Sequence, residues 1–279
     1  MNNYIINRKK HLCKYAEDNK LPVGGTFNGK ESGWKGQILT YEKKFRKKAI
    51  EKYNLIGNIK LDAEFSNKLH PCAHHLSSSQ ILCYNYFKTM MKGKHPTSEL
   101  IKFFSERGVK ITQQAVCEFE YGGYKLFPKE GTVYDFHIQD EKTELFIEVK
   151  YCESAFGKLY GKSKNEDTYC KKFDEVYKKM IDNCSCIRNK DVISEKDFFN
   201  NYQLFRNILR VTDDSKYTVF IFPRGHRKLC HEYTQFKNRY IENHYVNNII
   251  VIHWEELMEG KERADLYNKY FKKDLDEEE

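Results

Sequence analysis

Residues 132–151 carry two carboxylates, Asp135 and Glu148, and an amine, Lys150, at a spacing that could bring the three side chains together. Carboxylate oxygens are ligands for hard divalent cations, and an amine beside them can orient a water molecule or stabilise negative charge. The chemistry open to such a group is metal-assisted hydrolysis. Whether the three side chains meet depends on the elements that carry them.

The composition of this segment predicts a β-hairpin. Residues 133–139 and 144–151 are rich in Val, Ile, Phe and Tyr, and the polar run between them has turn chemistry. If the turn holds an even number of residues centred on positions 141 and 142, Asp135 lies directly across from Glu148. Alternation along the second strand puts Lys150 on the same face as Glu148. Opposed carboxylates with Cβ atoms about 4.5–5.5 Å apart repel each other, so the arrangement calls for a cation.

Hydrolysis of a phosphodiester bond suits a site of this composition. Asp135 and Glu148 would hold Mg²⁺, for which Mn²⁺ can substitute, and the Val149 carbonyl is an additional ligand from the same strand. Lys150 would orient or polarise the attacking water, or stabilise charge on the phosphate. Glu120, on the preceding strand, could complete the metal site or hold a water to it; the alternative is an exposed strand edge.

The Glu-x-Lys pattern alone is a weak signal, because 32% of the chain is charged and residues 42–44 match it as well. The aspartate across the hairpin and the apolar strand around it strengthen the assignment. The competing interpretation is a solvent-facing hairpin in which Glu148 and Lys150 are ordinary surface charges.

The remaining chain predicts an α/β fold. Caps and apolar periodicity favour helices over residues 76–91, 98–107 and 200–210. Strands are expected over residues 111–121, 217–223 and 247–254, with a glycine turn at residues 122–123 and a short return over residues 125–127. This order predicts a mixed central sheet that contains an antiparallel meander and is flanked by helices.

The spacing of the candidate residues resembles that of the PD-(D/E)XK nuclease superfamily, and its restriction-endonuclease-like branch most. Asp135 is followed by twelve residues and then by Glu148-Val149-Lys150, with helices on either side. Residues 74–87, 148–157 and 202–209 are also similar to a bacterial family of restriction endonucleases within that branch. The likeness covers about residues 76–223. One departure is Tyr134, which stands where the superfamily's name-giving proline precedes the aspartate.

The resemblance implies a restriction-endonuclease-like core and further residues at the site. Gln80 and Gln203 resemble helical polar positions that line such sites, where an amide could contact the phosphate or support a ligand. Capping and core-polar roles compete for both. Arg206 lies three residues after Gln203, shares its helical face and is a candidate phosphate contact.

The basic residues are unevenly distributed. The net charge is +8, yet residues 1–110 contain 21 Lys and Arg against 9 Asp and Glu. The densest piece, here called the basic strip, is residues 41–53. Its candidate phosphate contacts are Lys43, Lys44, Lys47 and Lys48. A solvated helix face explains the same pattern equally well.

The chain is long enough for one elaborated domain, which we divide into three parts. Residues 1–75 would form a basic N-terminal extension that packs on the core, residues 76–260 a nuclease core, and residues 261–279 a C-terminal helix and acidic tail. No apolar run suits a signal peptide or a membrane span of about 18 residues, so we expect a cytoplasmic protein with nine reduced cysteines and no membrane partner.

The sequence as a whole favours a metal-dependent endonuclease that acts on DNA in a restriction or defence role. Alternatives are a non-catalytic nucleic-acid-binding module, a repair or junction nuclease, and a ribonuclease. A homodimer is compatible with all of them. The cluster His70, Cys72, His74 and His75 fits no common paired zinc-ligand spacing, and its role stays open.

Overall fold

The computed structural model describes residues 3–25, 34–127, 129–159, 170–258 and 263–271. Its centre is a five-stranded mixed sheet formed by β3 Val116–Gly122, β4 Val133–Gln139, β5 Glu144–Val149, β6 Lys216–Phe222 and β7 Ile249–His253, in that spatial order. A separate two-residue ladder pairs β1 Met91–Lys92 with β2 His95–Pro96. The predicted mixed sheet with helices around it is confirmed.

Eleven α-helices lie within the described residues. Those before the sheet are α1 Asn3–Asp18, α2 Arg46–Tyr53, α3 Ala63–Asn67, α4 Ser79–Thr89 and α5 Ser98–Ser105. Those after β5 are α6 Lys178–Asn183, α7 Glu195–Asn200, α8 Tyr202–Ile208, α9 Arg227–Tyr240, α10 Trp254–Leu257 and α11 Ala264–Tyr270. None of these helices combines the length and the apolar character that a membrane crossing requires.

The strand directions divide the sheet into two halves. β3, β4 and β5 pair antiparallel as a meander, whereas β5, β6 and β7 pair parallel. Parallel neighbouring strands need long crossover connections. Helices α6 to α8 lie in the crossover between β5 and β6, and α9 lies in the crossover between β6 and β7. The meander therefore carries the predicted hairpin, and the crossovers bring later helices back to the sheet.

Both faces of the sheet are covered. On β6, Val219 and Ile221 belong to one hydrophobic cluster, and the alternating residues Phe220 and Phe222 belong to a second. Burial on both faces explains why this strand reads as an unbroken apolar run. The first cluster contains residues of α1, α4 and α11, and the second contains residues of α6 to α9.

Three expected boundaries differ from the observed ones. Residues 125–127 do not form a strand, because β4 itself is the return strand of β3. The helix expected over residues 200–210 is split at Asn201, whose side chain donates to the Asp197 carbonyl at 2.9 Å. The first strand begins at Val116 rather than at residue 111.

Candidate active site

The β4–β5 hairpin has the predicted register. Phe136 pairs with Ile147 and Gln139 pairs with Glu144, which is the register of a turn centred on positions 141 and 142. The ladder ends at Phe136, one residue short of Asp135. There the Asp135 carboxylate accepts a hydrogen bond from the Val149 backbone N–H at 2.7 Å, so the Asp135 side chain takes the place of a backbone carbonyl as the acceptor.

Asp135 lies among negative charges. Burial, followed by the Coulombic repulsion of Glu148 and then of Glu120, raises its pKa well above the ordinary value of an aspartate. The Val149 hydrogen bond and the charge of Lys150 act in the opposite direction without cancelling the effect. The carboxylate therefore sits where an additional cation would stabilise it.

Glu148 and Lys150 form a buried ion pair. Lys150 Nζ lies 2.6 Å from Glu148 Oε1, and the two residues are only 6% and 7% exposed, respectively. Burial by itself lowers the pKa of Lys150, but the attraction of Glu148, then of Glu153 and Asp135, outweighs it and raises the pKa above its usual value. The interpretation of these two residues as ordinary surface charges is wrong.

The backbone around Lys150 is fixed by long-range hydrogen bonds. The Lys150 N–H donates to the Ile221 carbonyl of β6 at 2.8 Å, and its carbonyl accepts the Trp254 indole N–H at 2.9 Å. Trp254 is fully buried at the start of α10. The parallel half of the sheet thus holds the lysine at the end of β5.

Glu120 occupies a strained position next to Asp135. Its φ of 51° lies in the left-handed region, and it is skipped in the β3–β4 ladder between the pairs that Phe119 and Tyr121 make. Burial raises the pKa of Glu120 to about 7; a hydrogen bond from Gln80 opposes this, and the charge of Glu148 adds to it. Such conformations cost on the order of 1 kcal/mol and are typical of functional sites.

Gln80 supports the carboxylates from α4. Its Oε1 accepts the His70 N–H at 2.8 Å and its Nε2 donates to the Lys68 carbonyl at 3.0 Å, so the amide also has the structural role that competes with substrate contact. Helix α4 begins after Ser78, whose side chain caps it by accepting the Ile81 N–H. The cap fixes the end of the helix that faces the carboxylates.

Helix α8 supplies two further polar residues to the lining, Gln203 and Arg206. Gln203 Oε1 accepts the Gly157 N–H at 2.8 Å. Arg206 Nε donates to the Thr132 hydroxyl at 2.9 Å, and its guanidinium carbon lies 4.8 Å from the centre of the Tyr202 ring. These contacts orient both side chains, and they leave Arg206 as a positive charge beside the carboxylates.

One cavity of about 500 Å³ unites most of the predicted residues. Its lining includes the carboxylates, the lysine and the helical polar residues, namely Glu120, Asp135, Glu148, Lys150, Gln80, Gln203 and Arg206. Val149 is fully buried and is not part of the lining. Lys44, Lys47 and Lys48 lie elsewhere on the surface, and the Lys43 side chain is outside the described part of the structure.

The donor set is suited to a hard cation. Carboxylate oxygens are typical ligands of Mg²⁺, and the raised pKa of Asp135 marks a carboxylate whose charge the protein does not neutralise. No group of three or more His, Cys, Asp or Glu side chains in the described ranges is close enough to form a complete metal site. One oxygen of Glu148 faces Lys150, and one oxygen of Asp135 accepts the Val149 N–H.

Glu153 and Lys9 are among the cavity residues that were not anticipated from the sequence. The Glu153 carboxylate accepts the Tyr151 N–H at 2.6 Å and the Ser79 hydroxyl, and its carbonyl accepts a hydrogen bond from His226 at 2.9 Å. It thereby links β5 to the first turn of α4 and to α9. The indication available in the sequence was that Glu153 follows Glu148 by five residues.

The histidine cluster lies at the edge of the same cavity. His70 and His75 are in the lining, and the rings of His74 and His75 are 4.5 Å apart. Burial, then the charges around it, lowers the pKa of His75 to about 4. Within the described chain, these residues do not form a group of three or more side chains that could hold a zinc ion.

Comparison with known proteins identifies the family. The family model described as Restriction Endonuclease associating with ARP, abbreviated REase-ARP, matches residues 17–275. The chain belongs to the REase-ARP family. Searches of curated proteins and of solved structures return no significant match. The resemblance to restriction endonucleases is confirmed, and the REase-ARP match extends on both sides of the segment that carried it.

Membership in the REase-ARP family supports an endonuclease. The five-stranded mixed sheet is compatible with a restriction-endonuclease-like core. The match crosses the boundaries drawn at residues 75 and 260, and α1 and α11 share a hydrophobic cluster with α4. The division into three parts stays a prediction, and residues 261–262 and 272–279 of its last part are outside the described structure.

Proposed function

We propose that this REase-ARP protein is a cytoplasmic, Mg²⁺-dependent endonuclease that hydrolyses phosphodiester bonds of DNA in a restriction or defence role. The proposal rests on one observation. Glu148 and Lys150 form a buried ion pair, and Asp135, which has the same charge as Glu148, lines the same cavity. Burying charges in this way costs several kcal/mol per ion unless partners compensate, so a surface role does not account for it.

The residues that would hold the metal are Asp135 and Glu148, with the Val149 carbonyl and Glu120 as additional ligands. Bound there, Mg²⁺ would neutralise charge on the phosphoryl group and make a water nucleophilic near neutral pH, and Mn²⁺ could replace it. The strained Glu120 supports this assignment, because it lines the same cavity as Asp135 and Glu148.

Lys150 acts as a cation in this proposal and not as a general base. Its raised pKa keeps the amine protonated at neutral pH, so it cannot accept a proton from the attacking water. It can orient that water through an N–H or stabilise charge that develops on the phosphate. Glu148 holds the amine in place at 2.6 Å.

The walls of the cavity would bind the substrate backbone. Arg206 presents a planar guanidinium of the kind that binds phosphate, and Gln80 and Gln203 present amides from α4 and α8. The basic strip would add contacts that do not depend on sequence. A homodimer would provide two such cavities.

The test is a substrate and metal panel on the purified full chain. Duplex, single-stranded and modified DNA, and RNA, are incubated with Mg²⁺, Mn²⁺, Ca²⁺ or EDTA. We expect cleavage of DNA with Mg²⁺ or Mn²⁺ and binding with poor cleavage in Ca²⁺, whose looser geometry positions the water less well. Full activity in EDTA contradicts the metal mechanism, cleavage of RNA alone makes the protein a ribonuclease, and binding without cleavage makes it a binding module.

A matched pair of variants ties the activity to the cavity. Asp135→Asn is compared with Glu118→Gln, which removes a carboxylate from β3 that lies outside the cavity and pairs with Lys68 at 3.3 Å. We expect cleavage to disappear in the first variant and to persist in the second. Equal activity in both variants excludes the proposed site.

A further inference from the structure

A lysine from the first helix lines the same cavity as the carboxylates. Helix α1 packs on the core through Ile5, Leu12 and Ala16, and this places Lys9 in the cavity lining. The charge of Lys9 lowers the pKa of His75 on one side and counteracts the raised pKa of Cys152 on the other. Cys152 lies two residues beyond Lys150, so the Lys9 ammonium is close to the end of β5.

Lys9 differs from the other cations of the cavity in its partners. Lys150 is paired with Glu148, and Arg206 is bonded to Thr132 and packed over Tyr202. Within the described chain, Lys9 forms no salt bridge, and its ammonium lies 5.9 Å from the centre of the Trp34 ring. Lys9 is half-buried, yet no carboxylate of the described residues neutralises it.

Two different helices therefore each bring a cation to the lining of the cavity. Lys9 comes from α1, Arg206 comes from α8, and the carboxylates lie on the sheet between these two helices. A nucleic acid strand places negative phosphates on both sides of the bond that is cut. An ammonium with no carboxylate partner among the described residues is a point charge well suited to one of those phosphates.

We infer that Lys9 is a substrate-binding residue that contacts a phosphate flanking the scissile bond. This inference rests on the proposed nuclease function and assigns to the N-terminal helix a direct part in the site. The contact is made equally before and during the reaction. Loss of the contact therefore raises KM and leaves kcat nearly unchanged.

The experiment compares Lys9→Met with Lys9→Arg and with Lys10→Met in the full chain. Lys10 is the adjacent residue on α1, is exposed and lies outside the cavity, so its replacement removes the same charge elsewhere. Binding of a fluorescent DNA duplex is measured by anisotropy in EDTA and in Ca²⁺ over a series of salt concentrations. Cleavage kinetics are then measured in Mg²⁺, and melting temperatures verify that each variant is folded.

We expect Lys9→Met to bind about three- to tenfold more weakly, with a salt slope lower by about 0.9, which is the loss of one phosphate contact. Lys9→Arg should retain most of the affinity because it keeps the charge, and Lys10→Met should match the parent. A packing role for Lys9 would change the melting temperature and leave the salt slope as it was.

The outcomes separate the inference from the proposed function. If the parent cuts DNA and Lys9→Met binds and cuts like Lys10→Met, the inference about Lys9 is overturned, while the proposed nuclease function is retained. If the parent binds DNA without cutting it, the proposed nuclease function is overturned, while the salt slopes still decide whether Lys9 contacts a phosphate. If the parent binds no nucleic acid, both are overturned.

Discussion

Lys150 Nζ lies 2.6 Å from Glu148 Oε1, and both side chains are buried at the end of β5. They stand two residues apart on one face of a strand, so the pair is set by the pleat itself. Asp135 faces the same region but has no cation of its own at that distance among the described residues; its carboxylate accepts the Val149 N–H instead. The three side chains therefore respond differently to replacement.

Replacement of any member of the group should remove most cleavage. We expect Asp135→Asn, Glu148→Gln and Lys150→Ala each to lower kcat by about 100-fold or more, which is the loss typical of a single electrostatic catalytic group. Combining Asp135→Asn with Glu148→Gln should be little worse than the poorer single variant, because the two act as one unit. Single-turnover cleavage assays measure both effects, and additive losses would contradict a shared site.

The two carboxylates should have opposite effects on stability in the absence of metal. Asp135→Asn removes a charge that Glu148 and Glu120 repel, and the new amide oxygen can still accept the Val149 N–H, so the variant should melt no lower than the parent. Glu148→Gln deprives buried Lys150 of its partner and should lower the free energy of unfolding by about 3 kcal/mol. Thermal and denaturant unfolding in EDTA test the signs, and a stabilised Glu148→Gln would refute the ion pair.

Charge reversal in the basic strip should weaken binding to all DNA sequences to a similar extent. The altered residues are Lys43, Lys44, Lys47 and Lys48. Each lysine that contacts phosphate should reduce the salt slope by about 0.9 when reversed, while cleavage at saturating DNA persists. A control with the exposed Lys178, Lys179, Lys196 and Lys228 changed to glutamate gives the same change in net charge at other surfaces. If both sets behave alike, the strip is a solvated face.

His75 should make the fold sensitive to acid. Burial and nearby positive groups lower its pKa from 6.5 to about 4 in the folded chain. Those groups are His74, Lys9, His70 and Arg46. The unfolded chain therefore binds more protons between these two pH values, and stability falls as pH decreases from about 6.5 to about 4.

Replacing His75 with glutamine should flatten that loss of stability. Urea unfolding at a series of pH values measures it, and His244→Gln, at an exposed position that faces Asp214, serves as the control. Since other buried histidines contribute to the parent, the slope should decrease without vanishing. If the stability of His75→Gln depends on pH as steeply as that of His244→Gln, the titration of His75 does not contribute to stability in this pH range.

Several features followed from the sequence because they depend on local periodicity. The apolar and polar alternation of residues 133–151 and their turn residues predicted the hairpin and its register, and with them the proximity of Asp135 and Glu148. The apolar runs 219–222 of β6 and 249–252 of β7 were equally readable, because their residues pack alternately against the two hydrophobic clusters.

Tertiary structure decided what surrounds the hairpin. Burial of the Glu148–Lys150 pair depends on β6 and on Trp254, which are far away in the chain. The left-handed backbone at Glu120, the break at Asn201 and the entry of Lys9 from α1 likewise arise from long-range packing. The sequence alone determined the chemical groups and their local order, since these follow from neighbouring residues. Only the fold determined which of those groups share one cavity, because contacts between distant segments set burial and charge.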